Sequence, residues 1–284
     1  MIILTIAEIL KTAKKTIPPL DAYVLLAHLL NCGKNDLIIH GEKNIDSGMS
    51  AQYFEMVKRR MNHEPVQYII NQCEFMSFPF YVNENVLIPR PDTEILVETV
   101  INFVGSGVLN QLPIGLDLCT GSGCIAISIA HYCQNVRMIA SDISAEALNI
   151  ATRNATTNRV IDRINFIQSD MFTKLPKQYH SAFDFIISNP PYIETNVIPT
   201  LGANVKNFEP HSALDGGTDG LDFYRQIAIN AKCFLKPNTP LFLEIGSEQA
   251  ESVSQILTHA GFTQTTILKD LAGLNRIIIT YNKG

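Results

Sequence analysis

Hydrophobic residues in the first quarter of the chain follow a helical period. Leucines between Leu20 and Leu30 recur at helical spacing behind Pro18-Pro19, and Gly33 fits a C-terminal helix stop. A second helix is predicted over Ser50–Asn62, with a basic triplet near its end that suits the helix dipole. We therefore predict a small helical bundle as a first domain over residues 1–74.

The period changes to two between Phe75 and Pro91. Aromatic and aliphatic residues alternate there around the Asn-rich segment Asn83–Asn85, a pattern that predicts a short β-hairpin. Pro89 and Pro91 then break the chain. We predict a hairpin linker over residues 75–91 and a second domain over residues 92–284.

Strand and helix patterns alternate from residue 92 onward. Helices are predicted over 93–104, 125–130 and 145–154. Seven strands are predicted over 114–118, 136–140, 164–168, 183–188, 240–245, 264–268 and 275–281. This alternation predicts an α/β fold with a mainly parallel sheet covered on both faces. The short turn at Ala272-Gly273 predicts that the last two strands form an antiparallel pair at one edge.

Composition narrows the class of protein. The 284 residues are 46% hydrophobic and 17% charged, which excludes a disordered chain. No apolar run approaches the ~18 residues of a membrane span, and no signal peptide is evident, so we expect a cytoplasmic protein without membrane contact. The net charge of −5 argues against a surface that grips nucleic acid. The six cysteines show neither CxxC nor zinc spacing, which predicts reduced thiols and no metal.

A glycine-rich turn follows the first predicted strand of the second domain. Glycines there let backbone approach a ligand at the carboxyl end of the strand. The candidate cofactor-binding residues of this turn are Cys119, Thr120, Gly121, Ser122 and Gly123. Asp142 ends the next strand, where a carboxylate accepts hydrogen bonds from ribose hydroxyls, while Ser144 is available to cap the following helix. Asp170 and Met171 end the third strand and are expected to flank an adenine ring.

Two cofactors compete for this turn. A dinucleotide favours GxGxxG, but Ala126 replaces the third glycine and Cys119 or Thr120 the first. S-adenosylmethionine has no phosphate and needs no pyrophosphate cradle, so the pattern favours the methyl donor.

The fourth strand ends in the most informative tetrapeptide, Asn189-Pro190-Pro191-Tyr192. The prolines stiffen the loop, so that the Asn189 side chain and the Pro190 carbonyl converge as neutral acceptors for an NH₂ group. Tyr192 offers a flat face to a planar amide or base. We expect Asn189, Pro190 and Tyr192 to be catalytic, Asn189 to Tyr192 to bind substrate, and Asn189 to contact the cofactor as well.

Further segments extend these patterns over nearly the whole chain. They are Glu64–Ile69, Glu74-Phe75, Leu87–Glu94, the cofactor turn, Asp142–Ser144, Asn189–Ile193, Phe208–Pro210, Asp219–Tyr224 and Glu244–Gln249. With them the chain resembles the release factor glutamine methyltransferase family. Three departures are Cys119, where the family usually has glycine, Asp92, where it usually has glutamate, and Asn71, where it often has glycine.

The resemblance implies a seven-stranded Rossmann-like class I methyltransferase sheet, preceded by a small helical bundle and a connecting β-hairpin. It implies transfer of a methyl group from S-adenosylmethionine to the glutamine of the Gly-Gly-Gln loop in peptide-chain release factors, giving N5-methylglutamine. It places cofactor contacts on Cys119–Gly123, Asp142 and Met171, and substrate contacts on Asn189–Tyr192. The bundle and hairpin would dock the protein substrate, and we expect a monomer.

Several alternatives remain open from the sequence. A methyltransferase for adenine or guanine in nucleic acid needs the same acceptor geometry, although no basic target-reading domain is evident. A noncatalytic nucleotide-binding module and a dehydrogenase are further alternatives. Arg90 is expected either at the cofactor's end of the cleft or in an interdomain salt bridge. Glu244 is expected as a buried strand-end acid or as a contact of the substrate loop.

Overall fold

The structure, a computed structural model, describes residues 4–109 and 112–283. Its contacts separate two compact units. The first extends to Gln72 and also includes Gly202–Phe208, a segment that the hydrophobic pattern did not assign to it. The second comprises Cys73–Leu201 and the chain from Glu209 onward.

The first unit is a helical bundle, as predicted. Its elements up to Gln72 are β1 (Leu4–Thr5), α1 (Ile6–Ala13), α2 (Pro19–Leu30), α3 (Lys34–Ile39), β2 (Asn44–Ile45), α4 (Ser47–Met61) and α5 (Val66–Ile69). Ile9, Leu25 and Tyr53 are fully buried at its centre. The Tyr53 hydroxyl donates to the Ala22 carbonyl oxygen at 3.0 Å, so this buried polar group is satisfied.

The prediction that Gly33 ends a helix is wrong. Helix α2 ends two residues earlier at Asn31, whose φ of 49° lies in the left-handed region. Asparagine tolerates this conformation better than most residues, because its short polar side chain hydrogen-bonds locally. Gly33 instead precedes α3 as its N-cap residue, with an ordinary φ of −73°.

The second unit begins with the predicted hairpin, but its turn lies elsewhere. Strands β3 (Cys73–Phe75) and β4 (Phe78–Phe80) pair antiparallel. Met76 and Ser77 form the connection with φ values of 50° and 65°, the conformation of a two-residue type I′ turn. The Asn-rich segment follows β4 as a separate turn, in which the Val86 N–H donates to the Asn83 carbonyl oxygen.

A seven-stranded sheet forms the body of the second unit. Its strands are β5 (Ile114–Leu118), β6 (Arg137–Asp142), β7 (Ile164–Gln168), β8 (Phe185–Ser188), β9 (Pro240–Glu244), β10 (Phe262–Lys269) and β11 (Asn275–Asn282). They lie in the order β10-β11-β9-β8-β5-β6-β7, and only β11 runs antiparallel to its neighbours β9 and β10. The parallel sheet with an antiparallel edge pair is confirmed.

Helices cover both faces of this sheet. These helices of the second unit are α6 (Pro91–Gly105), α7 (Cys124–Tyr132), α8 (Ala145–Thr157), α10 (Asp222–Phe234) and α11 (Ala250–His259), with 3₁₀ turns at Ile161–Arg163, Lys177–Tyr179, Ile198–Thr200 and His211–Ala213. Helix α9 (Ala203–Lys206) belongs to the first unit. Alternate residues of β8 enter opposite cores: Ile187 packs in the core that includes α6 and α7, and Ile186 in the core that includes α10 and α11. No helix among the described residues is long and apolar enough to cross a bilayer.

The strand order places the candidate site. Strands β5 and β8 are central neighbours, and Leu118 pairs with Ser188 at their carboxyl ends. The chain leaves β5 toward β6 on one side, whereas β8 leads to β9 on the other, so the order reverses between them. Ligands of open α/β sheets bind at such a switch point. The glycine-rich turn after β5 and the loop containing Asn189 therefore meet at the same edge.

Candidate active site

The turn between β5 and α7 is built on left-handed backbone. The φ values are 59° at Cys119, 54° at Gly121 and 80° at Gly123. A Cβ at Gly123 would lie 2.9 Å from Ile127 Cδ1 and 3.0 Å from Ala151 Cβ, whereas one at Gly121 would meet open space. Gly123 therefore permits close packing of the turn, and Gly121 leaves room for a ligand. Cys119 adopts a conformation that glycine enters freely, which accounts for the glycine usual at this position.

Asp117, in strand β5, fixes this turn by hydrogen bonds. Its Oδ2 atom accepts hydrogen bonds from the Thr120 hydroxyl at 2.6 Å and from the Ala126 N–H at 3.2 Å. Burial raises the pKa of Asp117 to about 7. Its Oδ1 atom has no hydrogen-bond partner in the described part of the chain. The carboxyl group thus fixes the turn through Oδ2, and Oδ1 is a buried hydrogen-bond acceptor without a partner among the described residues.

Asp142 lies beside the turn at the end of β6. One carboxylate oxygen accepts the Gly121 N–H at 2.8 Å and the other accepts the Ser144 N–H at 3.0 Å. Ser144 caps α8 by accepting the Ala147 N–H at 3.1 Å, so the helix cap does not consume Asp142. Burial raises the pKa of Asp142, while these N–H donors oppose the shift. Each oxygen retains a lone pair for a further donor.

A cavity of about 340 Å³ opens next to these groups. Seven of the predicted site residues line it: Cys119, Gly121, Asp142, Asp170, Met171, Asn189 and Pro191. Five others do not line it, namely Thr120, Ser122, Gly123, Pro190 and Tyr192. The first three of these shape the turn, and the last two belong to the loop after β8. The functional roles assigned to all twelve residues remain predictions.

Sequence reasoning missed part of the cavity wall. The additional lining residues come mainly from two distant segments: Asn85, Val86 and Leu87, and Pro210, Ser212, Ala213, Asp215 and Phe223. The only signal for them was that Leu87, Pro210 and Phe223 lie in segments of the family resemblance, to which no site role was assigned. Ser141 was missed as well, although its buried hydroxyl lies in the cavity wall and has no partner among the described residues.

Arg90 supports two of these wall segments. Its guanidinium pairs with Glu209 at 2.5 Å, and the Glu209 side chain is only 1% exposed. The other Glu209 oxygen accepts the Ile88 N–H at 3.3 Å. The ion pair lies within the second unit rather than between domains. It joins the chain beside Leu87 to the chain beside Pro210, both of which line the cavity.

Glu244 connects the loop after β8 to helix α6. It ends β9, is 1% exposed, and accepts the Thr93 hydroxyl at 2.7 Å and the Tyr192 hydroxyl at 3.4 Å. The Asn189 Nδ2 atom donates to the Thr93 hydroxyl oxygen at 3.2 Å. Glu244 is thus both a buried strand-end acid and a contact of the predicted substrate loop. Burial raises its pKa to about 7 and helps to raise that of Tyr192 to about 12.

Comparison with known proteins shows the family to which the chain belongs. Profiles described as "PrmC N-terminal domain" and "Methyltransferase small domain" match residues 3–70 and 93–204. A release factor glutamine methyltransferase of Clostridium acetobutylicum is 40% identical, over 93% of this chain and 91% of its own. The chain belongs to the release factor glutamine methyltransferase family. Another release factor glutamine methyltransferase, from Thermodesulfovibrio yellowstonii, is 39% identical over 91% of each chain.

A solved structure shares the fold of this family member. The N-terminal domain of human METTL16 in complex with SAH superposes with a TM-score of 0.53 and covers 86% of each chain. At 16% identity, this likeness shows the shared fold alone. The predicted family and the predicted class I methyltransferase fold are therefore both confirmed.

Proposed function

We propose that this protein transfers a methyl group from S-adenosylmethionine to the side-chain amide nitrogen of the glutamine in the Gly-Gly-Gln motif of peptide-chain release factors, giving N5-methylglutamine. One observation carries the proposal. The neutral acceptor loop that begins at Asn189 borders the nucleoside-sized cavity at the sheet's switch point. The chain's relatives are named for this reaction on release factors.

The cavity suits S-adenosylmethionine. It falls within the range of about 300–1,000 Å³ that small-molecule sites occupy. The Asp142 carboxylate supplies hydrogen-bond acceptors for a ribose, and Met171 supplies an apolar surface for a base. Gly121 leaves the space that a side chain there would fill. We assign cofactor binding to these residues, together with Cys119 and Asp170, and only a minor cofactor contact to Asn189, whose main partner is the substrate amide.

The substrate loop acts by orientation. Asn189 Oδ1 and the Pro190 carbonyl accept the two amide hydrogens, and this turns the delocalised nitrogen lone pair toward the methyl donor. Tyr192 packs on the flat face of the amide. S-adenosylmethionine supplies an electrophilic methyl carbon, whose bond to sulfur breaks as the carbon–nitrogen bond forms and a proton leaves the nitrogen. Well-oriented reactants gain roughly 7–11 kcal/mol from effective molarity, so positioning is the main contribution of these residues.

The proposal extends to the partner and its location. The first unit, matched by the PrmC N-terminal profile, would dock the release factor. We expect a monomer that acts in the cytoplasm, where release factors work, with no nucleic-acid substrate.

The direct test is methyl transfer to a purified release factor, read by mass spectrometry as the gain of one methyl group on the Gly-Gly-Gln glutamine. Asn189→Ala should abolish turnover and leave cofactor affinity nearly unchanged. Asn230→Ala is the matched control, because the exposed Asn230 amide donates to the Gln226 carbonyl oxygen at 2.8 Å within helix α10. A release factor with glutamate in place of that glutamine should accept no methyl group.

Two results would contradict the proposal. Folded enzyme that labels nucleic acid but no release factor would assign it to base methylation instead. If Asn189→Ala abolished cofactor binding as well as turnover, the role of substrate acceptor assigned to Asn189 would be wrong.

A further inference from the structure

We propose that Thr93 and Glu244 are positioning residues that fix the orientation of the Asn189 amide through a relay of hydrogen bonds. The inference rests on the proposed function, since it concerns how the acceptor loop is held ready. Neither residue lines the cavity. The relay acts on the substrate through Asn189, while Glu244 also accepts the Tyr192 hydroxyl at 3.4 Å.

The relay runs between three elements of the second unit. Glu244 at the end of β9 accepts the Thr93 hydroxyl at 2.7 Å, and Thr93, in the first turn of α6, accepts from Asn189 Nδ2 at 3.2 Å. Thr93 is 2% exposed and Glu244 is 1% exposed, so water does not compete for these bonds. The Tyr224 hydroxyl donates to the Glu244 carbonyl oxygen at 2.9 Å and fixes the residue from its backbone side.

The direction of the bonds decides which atom of Asn189 faces the substrate. A carboxylate only accepts hydrogen bonds, so the single Thr93 hydroxyl hydrogen points at Glu244. Thr93 can then offer Asn189 only an oxygen lone pair. The amide must meet it with its NH₂ group, which leaves Oδ1 free. Oδ1 is the atom that must accept a hydrogen from the substrate amide, because an NH₂ group in its place is a donor and would repel the NH₂ group of the substrate.

Protonation of Glu244 would remove this constraint. A neutral carboxyl can donate to Thr93, and the Thr93 hydroxyl hydrogen is then free to point at Asn189 and to select the reversed amide. Burial raises the pKa of Glu244 to about 7, so the change falls within the range in which the enzyme can be assayed. The charged or titratable groups that act on Glu244 are Asp92 of α6, Cys124 of α7, Tyr192 after β8, Tyr224 of α10 and Arg276 of β11.

The test compares Thr93→Val, Thr93→Ser and Thr99→Val in release factor methylation. Valine keeps the shape of threonine without its hydroxyl, and serine restores the hydroxyl. Thr99 lies on the same helix, and its hydroxyl donates to the Ile95 carbonyl oxygen at 2.7 Å, so Thr99→Val is the matched control. We expect Thr93→Val to lower kcat roughly 100-fold, the size of effect that follows from misplacing a reacting group. KM and cofactor affinity should change less than about twofold, and Thr93→Ser should recover most of kcat.

A pH profile supplies a readout that a purely structural role would not move. Wild-type kcat should rise with pH through the pKa of Glu244, near 7. Glu244→Gln cannot change its charge and can present either an oxygen or an NH₂ group to Thr93. Its kcat should therefore be lower and show no inflection there.

Each outcome decides the inference. A Thr93→Val enzyme with the kcat of Thr99→Val would overturn it, and so would equal losses of kcat and cofactor affinity. If Thr93→Val does not fold, the Glu244→Gln profile decides: a retained inflection near pH 7 overturns the relay, and its loss with lower kcat supports it. Wild-type enzyme that methylates no release factor would instead refute the proposed function, before any variant is compared.

Discussion

The buried carboxyl of Glu244 should make the stability of this protein fall as pH rises. Its pKa lies at about 7 in the folded chain, against an ordinary value of 4.5, and the largest cause is burial. The folded state therefore holds the Glu244 proton more tightly than the unfolded state does. Stability falls as pH rises from about 4.5 to about 7, and the full cost is present above that range.

The magnitude follows from the two pKa values. Each tenfold change in proton affinity corresponds to about 1.4 kcal/mol, so a rise from 4.5 to about 7 corresponds to roughly 3 kcal/mol. Glu244→Gln removes the charge and keeps the shape of the side chain, including an oxygen that can accept the Thr93 hydroxyl. The variant should match wild type near pH 5 and exceed its free energy of unfolding by up to roughly 3 kcal/mol near pH 8.

Urea denaturation of the full chain at several pH values measures this difference. The sequence contains no tryptophan, so far-UV circular dichroism is the natural probe, with reductant present for the six cysteines. Glu248→Gln is the matched control, because it makes the same chemical change at an exposed side chain and should track wild type. If the difference in free energy of unfolding between Glu244→Gln and wild type stayed constant from about pH 5 to about pH 8, the reasoning would be refuted.

Two further pairs of substitutions test how the residues around the cavity are supported. Arg90→Met should lower the free energy of unfolding in urea denaturation by about 3 kcal/mol, because it leaves the buried Glu209 carboxylate unpaired. Arg225→Met breaks exposed ion pairs and should lower it by less than about 1 kcal/mol, so equal losses would contradict the prediction. Gly123→Ala should lower Tm more than Gly121→Ala, because both have positive φ but only Gly123 lacks space for a Cβ, whereas Gly121→Ala should weaken S-adenosylmethionine binding in a calorimetric titration. A larger loss of Tm for Gly121→Ala would count against the assigned roles.

The outcome for particular residues shows how far sequence reasoning extends. The hydrophobic period predicted every strand of the main sheet, and Asn189 was recognised because two prolines give its loop a local signature. The turn of the first hairpin was misplaced, because Met76 and Ser77 are not typical residues for left-handed backbone. Their conformation is imposed by the pairing of the flanking strands, and it is not a preference of the residues themselves.

The relay and the cavity wall had no comparable local signal. Glu244 meets Thr93 across 151 residues of sequence, and Arg90 meets Glu209 across 119. Sequence reasoning left both Glu244 and Arg90 with two alternatives. The structure shows the partners of both residues, because these contacts form between segments that are distant in sequence.

The amino-acid sequence by itself determined the seven strands of the main sheet, five of the helices, the glycine-rich turn and the acceptor loop, because periodicity, proline and glycine act on the chain within a few residues. It also determined the family, through motifs spread along its whole length. Only the tertiary structure decided which atom of Asn189 is free, which segments close the cavity and which carboxyl groups are buried. Those properties arise from packing between distant segments, where removal from water sets the pKa values and each buried donor must find an acceptor.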